Sequence, residues 1–272
     1  EKRTRVRARV ISNSMRDLIR ESSRVLVMGH KNPDMDSLGA SIGIMKLAEF
    51  VGREAYVVVP SGETSIGIQR LVQEVENDDS LYSQFLTEYE AQPLIDEQTL
   101  LVVVDTHRPS LVISKDILYR AERVVVIDHH RRGEEFIEDP VLVYMEPYAS
   151  STCELVTELI EYQAGSRKLS ILEATSLLAG IMVDTKGFTL RTGSRTFDAA
   201  SYLRIQGADT VLVQHFMRQD LDAYIEQSQI LKNTEIYADG MAIAVASDDE
   251  THHQVLIAPS ADQLLNMEGV KA

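Results

Sequence analysis

Short apolar runs that alternate with helix-like stretches constrain the fold of the first 150 residues more than any other feature. Five runs are typical of buried strands: Val25–Met28, Tyr56–Val59, Leu100–Val104, Val124–Ile127 and Val141–Val143. Between them, apolar residues recur at helical spacing from Asp36 to about Val51, and Ser65–Leu86 has the pattern of a broken helix. Strands that alternate with helices indicate a parallel sheet with helices on both faces, so we expect an α/β fold.

The pattern changes to mostly helical after residue 150. Four helices are expected in close succession: Ser151–Ala164, Ile171–Lys186, Thr196–Gln206 and Thr210–Met217. A longer polar helix follows, from Asp220 to about Tyr237; beyond it we expect strands at Met241–Ala246 and Val255–Ala258 and a short helix at Ala261–Leu265. We therefore predict a helical lead-in (1–23), a main α/β domain (24–219), a connector helix (220–239) and the opening of a smaller α/β domain (240–272).

Composition excludes some classes of function. A net charge of −15 argues against a long nucleic-acid-binding surface, which needs basic stripes. Cys153 is the only cysteine, which favours a reducing, cytoplasmic location, and no apolar run approaches the ~20 residues that span a bilayer. The chain begins at Glu1 and is arginine-rich at that end, so we expect it to be a segment of a longer parent protein.

His30, Asp34 and Asp36 follow the first apolar run within seven residues. Pro33 stiffens the turn before the two aspartates, and both lie at the start of a predicted helix, where the helix dipole favours negative charge. A helix N-cap is the alternative for either aspartate. That alternative leaves the histidine unexplained, so we interpret the three residues as candidate metal ligands.

Two further apolar runs end in residues of the same kind. Asp105 closes one, and Asp128-His129-His130 closes the other. Such groups point into the crevice where open α/β sheets hold ligands, although a loop carboxylate is the alternative for Asp105. His107 is a candidate for a further ligand, with a role in the loop or behind the ligands favoured. Arg131 is a candidate for binding phosphate, and a position in a solvated turn is the alternative.

Asp184 closes the apolar helix that begins near Ile171, where a buried carboxylate needs a cation, hydrogen bonds or a raised pKa. A salt bridge to Lys186 or Arg191 is the alternative. Together the candidates supply four carboxylates and two imidazoles, whose charge of −4 two divalent ions would neutralise. Oxygen and nitrogen donors without thiolate suit Mn²⁺ or Mg²⁺. Asp105, on a central strand, is the expected bridge between the two metals.

Four motifs, in order, resemble those of the DHH phosphoesterase superfamily. They are Asp34-Met35-Asp36, Asp105-Thr106-His107, Asp128-His129-His130 and Asp184. The resemblance runs from about residue 20 to the C-terminus. The flanking residues, above all Lys31-Asn32 and Arg131-Arg132-Gly133, are most similar to the members that hydrolyse cyclic di-AMP. The Gly-Gly-Gly-His motif of the superfamily's substrate-binding DHHA1 domain does not occur in this sequence.

The resemblance implies a role for each matching residue. One metal is expected on His30, Asp34 and Asp105, and the second on Asp36, Asp105, His129 and Asp184. His130 is expected at the scissile phosphate or leaving oxygen, with Asp128 orienting a histidine from behind. Substrate contacts are expected from His130, Arg131, Ser151 and Arg195; an N-cap is the alternative for Ser151. The catalytic set is thus His130, Asp105 and Asp128.

The expected function is a two-metal phosphodiesterase that converts cyclic di-AMP to 5′-pApA. The expected cofactors are two Mn²⁺ ions, with Mg²⁺ or Co²⁺ as substitutes. The expected partner is cyclic di-AMP or a related dinucleotide, without long nucleic acid or membrane, and a homodimer stays open. Alternatives are an oligoribonuclease or pApA hydrolase and a nucleotide-sensing module with little turnover. The resemblance also implies a cytoplasmic domain of a membrane-anchored parent.

Overall fold

A six-stranded parallel sheet forms the centre of the first part of the chain. The computed structural model describes residues 2–245 and 253–272, which divide into one unit up to Met217 and a second from Arg218. The strands of the first unit are β1 (Val25–Met28), β2 (Ala55–Val59), β3 (Phe85–Thr87), β4 (Leu100–Val104), β5 (Arg123–Asp128) and β6 (Leu142–Met145). Their order is β3-β2-β1-β4-β5-β6, and all neighbours run parallel. The predicted parallel α/β sheet is confirmed.

Burial on both faces of the sheet explains the apolar sequences of the central strands β1, β4 and β5. Every residue of β1 and β4 is buried, as expected where helices or loops cover each side of a parallel sheet. Val25 pairs with Leu100 in β4, and Leu100 in turn pairs with Arg123 in β5. The chain leaves β1 toward β2 on one side and β4 lies on the other. The direction in which successive strands are added thus reverses between β1 and β4, and this reversal opens a crevice at the carboxyl ends of the strands.

Helices and short elements cover both faces of this sheet. The helices of the first unit are α1 (Lys2–Glu21), α2 (Met35–Val51), α3 (Ile66–Glu76), α4 (Asp79–Tyr82), α5 (Glu88–Ala91), α6 (Lys115–Arg120), α7 (Thr152–Ala164), α8 (Ile171–Asp184), α9 (Ser194–Ile205) and α10 (Thr210–Met217). One face carries a large core that includes α1, α2, α7 and α8, and the other carries a smaller core that includes Ile117 and Ile137. Within residues 2–245 and 253–272, no helix combines the length and apolarity needed to cross a bilayer.

The lead-in helix α1 belongs to the packed core. Its apolar stripe of Ala8, Ile11, Met15 and Ile19 is buried, because these residues recur at three- and four-residue intervals on one helix face. The Ser12 hydroxyl donates to the Leu159 carbonyl of α7 at 3.1 Å. The first helix is therefore a structural part of the unit.

Residues 85–87 form strand β3, and the prediction of a broken helix through Leu86 is wrong at this point. Helix α3 ends at Glu76, and the short α4 ends at Tyr82. Phe85 then pairs with Val57 at the edge of the sheet. Pairing with β2 is a long-range contact, which overrides a local helical pattern of apolar residues.

In its described residues, the second unit contains two α-helices and a β-hairpin. They are α11 (Leu221–Lys232), β7 (Thr234–Tyr237), β8 (Met241–Ala244) and α12 (His253–Leu265), and β7 and β8 pair antiparallel. The prediction of one helix to Tyr237 is wrong, because the chain turns into β7 after Asn233. Val255–Ala258 lies in α12, so its prediction as a strand is also wrong; Ala246 lies outside the described residues. The predicted four-part domain boundaries stay a prediction.

Glycines allow α2 and α8 to approach closely. A Cβ at Gly180 of α8 would lie 2.9 Å from both Asp36 Cα and the Met35 carbonyl oxygen, and would also contact Cys153 Sγ. Gly39 of α2 faces the Ser176 backbone of α8 in the same way. This contact places the first turn of α2, with Asp36, next to α8, whose last residue is Asp184.

We expect Gly180→Ala to lower the free energy of unfolding by about 1–3 kcal/mol, because the new methyl group meets backbone atoms that cannot rotate away. Gly62→Ala is the matched control, since nothing lies within 4 Å of a Cβ there and its backbone does not require glycine. Urea unfolding followed by circular dichroism measures both. Equal stability of the two variants would contradict the close α2–α8 contact.

Candidate metal centre

Three neighbouring strands and two helices bring the candidate ligands together. His30 and Asp105 follow β1 and β4, and His129 follows β5, so their side chains meet at the carboxyl edge of the sheet. Asp36 comes from the first turn of α2 and Asp184 from the end of α8. The six predicted ligands fall into two trios, His30/Asp34/Asp105 and Asp36/His129/Asp184, in each of which the donor atoms lie within 4.8 Å of one another.

Asp105 belongs to the first trio and also faces the second. Its Oδ2 is 3.3 Å from His30 Nε2, while its Oδ1 is 3.6 Å from His129 Nε2. His129 Nε2 is in turn 3.1 Å from Asp184 Oδ2 and 3.8 Å from Asp36 Oδ2. The two oxygens of one carboxylate thus face two different histidines, an arrangement suited to a carboxylate shared by two cations.

Asp34 has two contacts that the sequence presented as alternatives. Its Oδ1 accepts a hydrogen bond from the Ser37 N–H at 2.9 Å, so it is the N-cap of α2. Its Oδ2 lies 3.7 Å from His30 Nε2. One carboxylate therefore caps the helix with one oxygen and faces the first trio with the other.

The N-terminus of α7 holds Asp36 in place. The Asp36 carboxylate is fully buried, and its two oxygens accept hydrogen bonds from the Thr152 N–H at 2.7 Å and the Cys153 N–H at 2.8 Å. These are the first two amides of α7, which have no partner inside the helix. Thr152 also holds Asp105, because its hydroxyl donates to Asp105 Oδ1 at 3.0 Å.

The backbone at Asp105 is strained. Its φ is +60°, in the left-handed region that residues other than glycine rarely adopt. The turn carries the chain out of β4 directly into the crevice. A non-glycine residue in this conformation costs of order 1–3 kcal/mol and persists where its surroundings over-determine it, which is frequent at functional sites.

The donor atoms of His129 fit a metal ion. Both ring nitrogens are buried, and neither has a hydrogen-bond partner among the described residues. A buried ring nitrogen without a hydrogen-bond partner is costly, and a cation at Nε2 would satisfy that atom. The surrounding donors are carboxylate oxygens and imidazole nitrogens, the set that suits Mn²⁺ and Mg²⁺. The residues present therefore fit divalent metal ions.

Burial and like charge perturb the carboxylates of this centre. Burial, followed by the neighbouring Asp184, raises the pKa of Asp36 to about 6. Burial and the Asp36 charge raise the pKa of Asp105 well above its ordinary value. Burial opposes the charged form of the histidines, but the carboxylates outweigh it and raise the pKa of His30 to about 10 and of His129 to about 9. Without a metal, protons thus offset part of the negative charge.

Asp128 lies behind the centre and joins two histidines. Its Oδ1 is 2.8 Å from His130 Nδ1, and its Oδ2 is 2.6 Å from His107 Nδ1. Burial opposes ionisation of Asp128, but the hydrogen bonds from His130 and His107 outweigh it and lower its pKa. His107 Nε2 accepts the Gly133 N–H at 3.0 Å, which makes Nδ1 the protonated nitrogen of a neutral ring. Asp128 therefore fixes the orientation of His130.

A cavity of about 420 Å³ opens over the first trio. The predicted substrate residues His130 and Arg131 line it, and the His130 side chain is half exposed. Its wall also includes residues that sequence reasoning did not select for this role: Thr106, Arg108 and Leu111. The cavity therefore has metal-ligand candidates at its floor and cationic side chains at its rim.

Ser151 and Arg195, predicted as substrate contacts, have other partners. The Ser151 hydroxyl accepts the Glu154 N–H as the N-cap of α7. The Arg195 guanidinium donates to both oxygens of Glu158, at 2.7 and 2.5 Å, and it lines a different cavity. Their substrate contacts stay a prediction.

Two residues of this centre were not assigned these roles from the sequence. Thr152 anchors both Asp36 and Asp105, and the only signal for it was its place in Ser150-Ser151-Thr152 at a helix start. His107 contacts Asp128 from a separate loop. Its proximity to Asp105 indicated a role behind the ligands, but the sequence could not name its partner.

The match to a known family agrees with this geometry. Residues 24–181 match the family described as "DHH family, N-terminal domain". The chain belongs to the DHH family. This stretch contains five of the six predicted ligands, and Asp184 follows it by three residues.

Curated relatives resemble this DHH-family chain along its whole length. It is 60% identical over 272 residues to "Cyclic-di-AMP phosphodiesterase GdpP" of Geobacillus thermodenitrificans, and 55% identical over 274 residues to the protein of that name in Bacillus subtilis. Both matches cover 100% of this chain but only 41% and 42% of the relatives. The chain thus spans about two fifths of their length.

A solved structure supports the fold. An exopolyphosphatase-related protein from Bacteroides fragilis superimposes with a TM-score of 0.77 at 20% sequence identity. The superposition covers 95% of this chain and 77% of the other. The agreement supports the α/β fold and carries no statement about substrate.

We expect Mn²⁺ binding to release protons at pH 7. The pKa values of His30 and His129, about 10 and 9, mean that both rings are protonated in the metal-free protein and must lose a proton to bind a cation. Calorimetry in buffers of different ionisation enthalpy counts the protons released. Apparent affinity should rise with pH from 6.5 toward 9. Binding without proton release would contradict histidine ligation.

Proposed function

We propose that this chain is a two-metal phosphodiesterase domain that hydrolyses cyclic di-AMP to 5′-pApA, with Mn²⁺ as the metal. The observation that carries the proposal is the position of Asp105. One of its oxygens faces His30 of its own trio, and the other faces His129 of the second trio. High identity to two cyclic-di-AMP phosphodiesterases supports the choice of substrate. The chain spans only about two fifths of those relatives, so the assignment of their activity to this chain is itself part of the proposal.

His30, Asp34 and Asp105 would hold one metal, and Asp36, Asp105, His129 and Asp184 would hold the other. Bound divalent ions supply Lewis-acid stabilisation of the phosphoryl oxygens and activation of water. The protein keeps these ligands in fixed positions. Asp36 is held by backbone amides of α7, and Asp105 is held by the Thr152 hydroxyl and a constrained backbone.

His130 is placed to act on the substrate. Its Nδ1 contacts Asp128, so its Nε2 is the ring atom left to face the phosphate or the leaving oxygen in the cavity. The Asp128 carboxylate at Nδ1 keeps the ring in one orientation. We assign to Nε2–H a hydrogen bond to the phosphate or the transfer of a proton to the leaving oxygen.

Asp105→Asn tests this proposal. The amide keeps the shape of the side chain but removes the charge shared by the two trios, so hydrolysis of cyclic di-AMP in Mn²⁺ should fall by more than about 100-fold, beyond the loss that removal of an outer-shell partner causes. Bound manganese per chain should fall as well. Chromatography of the products measures turnover, and elemental analysis measures the metal.

Asp17→Asn is the matched control, because it removes the same charge from an exposed position on α1. It should retain activity. Cyclic di-AMP, cyclic di-GMP and linear pApA are offered side by side to the unchanged protein. Release of AMP from pApA with cyclic di-AMP untouched would replace the proposal by a pApA hydrolase. Unchanged turnover by Asp105→Asn would overturn the two-metal mechanism.

A further inference from the structure

Two guanidinium groups line the cavity over the metal centre, from Arg108 and Arg131. In the described parts of the chain, neither guanidinium has a carboxylate at ion-pair distance. Arg7 and Arg195, by contrast, are paired with Glu146 and Glu158. The oxygens of Glu135 accept hydrogen bonds from the Ser110 N–H and hydroxyl. These bonds are the main cause of its lowered pKa, to which the charge of Arg108 adds a smaller effect. In a chain of net charge −15, two unpaired cations at one cavity indicate an anionic ligand.

Gly133 provides the space that Arg108 occupies. A Cβ at Gly133 would lie 2.9 Å from Arg108 Nη2 and 3.2 Å from its Nε. The Gly133 N–H also donates to His107 Nε2 at 3.0 Å. The segment with Arg108 and the segment with Arg131 are therefore joined by a hydrogen bond, and both arginines reach the same cavity.

The charges of a cyclic dinucleotide match this arrangement. Such a substrate carries two phosphodiester groups, only one of which reacts at a time. Two divalent ions would offset the four carboxylates of the metal centre and attract the reacting phosphate. The second phosphate retains its charge and needs a cation away from the metals. Guanidinium groups bind phosphate oxygens through paired N–H donors.

We propose that Arg108, together with Arg131, forms a binding site for the second, non-reacting phosphate of a two-phosphate substrate. Arg108 is a binding residue in this proposal and takes no part in bond cleavage. The inference rests on the proposed function, because it takes the first phosphate to lie at the metal centre. It adds a specificity: substrates with two phosphates should bind better than substrates with one.

The chain offers a matched control in Arg132. Its guanidinium lies 4.4 Å from the centre of the Phe136 ring, a cation–π contact, and Arg132 is not among the residues that line the cavity. Arg108→Gln and Arg132→Gln therefore remove the same charge from the same neighbourhood, but only the first removes it from the cavity.

Steady-state kinetics of the full chain with Mn²⁺ test the site on two substrates. Cyclic di-AMP has two phosphates, and bis(p-nitrophenyl) phosphate has one. Arg108→Gln should raise KM for cyclic di-AMP about tenfold or more, as expected for a lost hydrogen bond to a charged group, with kcat within about twofold. Its kinetics on the one-phosphate ester should be unchanged. Arg132→Gln should match the wild type on both substrates.

Gly133→Ala gives a charge-neutral second test. The methyl group would displace the flexible Arg108 guanidinium and should raise KM for cyclic di-AMP in the same direction. Manganese content and thermal melting check that both variants are folded and loaded. Calorimetric titration of a phosphorothioate analogue of cyclic di-AMP, which keeps both negative charges and resists cleavage, into manganese-loaded protein adds a readout without turnover. Arg108→Gln should weaken this binding about tenfold relative to Arg132→Gln.

Two results would overturn the site. One is an equal effect of Arg108→Gln on both substrates, and the other is an equal effect of Arg108→Gln and Arg132→Gln on cyclic di-AMP. Failure of the proposed function has a different signature. In that case the wild type cleaves the one-phosphate ester but not cyclic di-AMP, while calorimetry still reports whether Arg108 binds the dinucleotide.

Discussion

The rest of the site depends on the hydrogen bonds that the N-terminus of α7 donates to Asp36. Two backbone amides and the Thr152 hydroxyl at one helix end hold two carboxylates that would otherwise repel each other. Helix ends present unpaired N–H groups and a partial positive charge, so this placement serves the helix as well as the carboxylates. Because the α2–α8 crossing then brings in Asp184, helix packing determines the spacing of the donors.

The same arrangement is a cost to the metal-free protein. Asp36 and Asp105 are buried with pKa values above their ordinary range, so their ionised forms are disfavoured by burial and by each other. A raised folded pKa means that stability is lost as pH rises through that pKa. The same sign holds for His30 and His129, whose contribution is complete below their ordinary pKa of 6.5 and is lost as pH rises through about 10 and about 9. A fold that tolerates such a cluster is organised around cations, and one of its left-handed non-glycine residues, Asp105, lies at this cluster.

Sequence reasoning succeeded where an element is defined by its own residues. The fully buried runs of β1, β4 and β5 and the polar residues after them placed the candidate ligands, because parallel strands end at one edge. It failed where distant contacts decide. Phe85–Thr87 is a strand through its pairing with β2, and the roles of Thr152 and His107 depend on carboxylates far away in the chain. Neither spacing nor composition contains those partners.

The candidate metal ligands and the proposed phosphate site therefore have different structural origins in this chain. All six candidate ligands lie between His30 and Asp184, inside the unit that ends at Met217, so the metal centre is built by one sheet and its helices. The proposed phosphate site lies at the rim of the cavity, where Arg108 and Arg131 stand on loops after β4 and β5. Loops can vary while the strands that carry them stay fixed. If Arg108 binds the second phosphate as proposed, a DHH-family centre can keep its metal ligands and change its substrate through such loop residues.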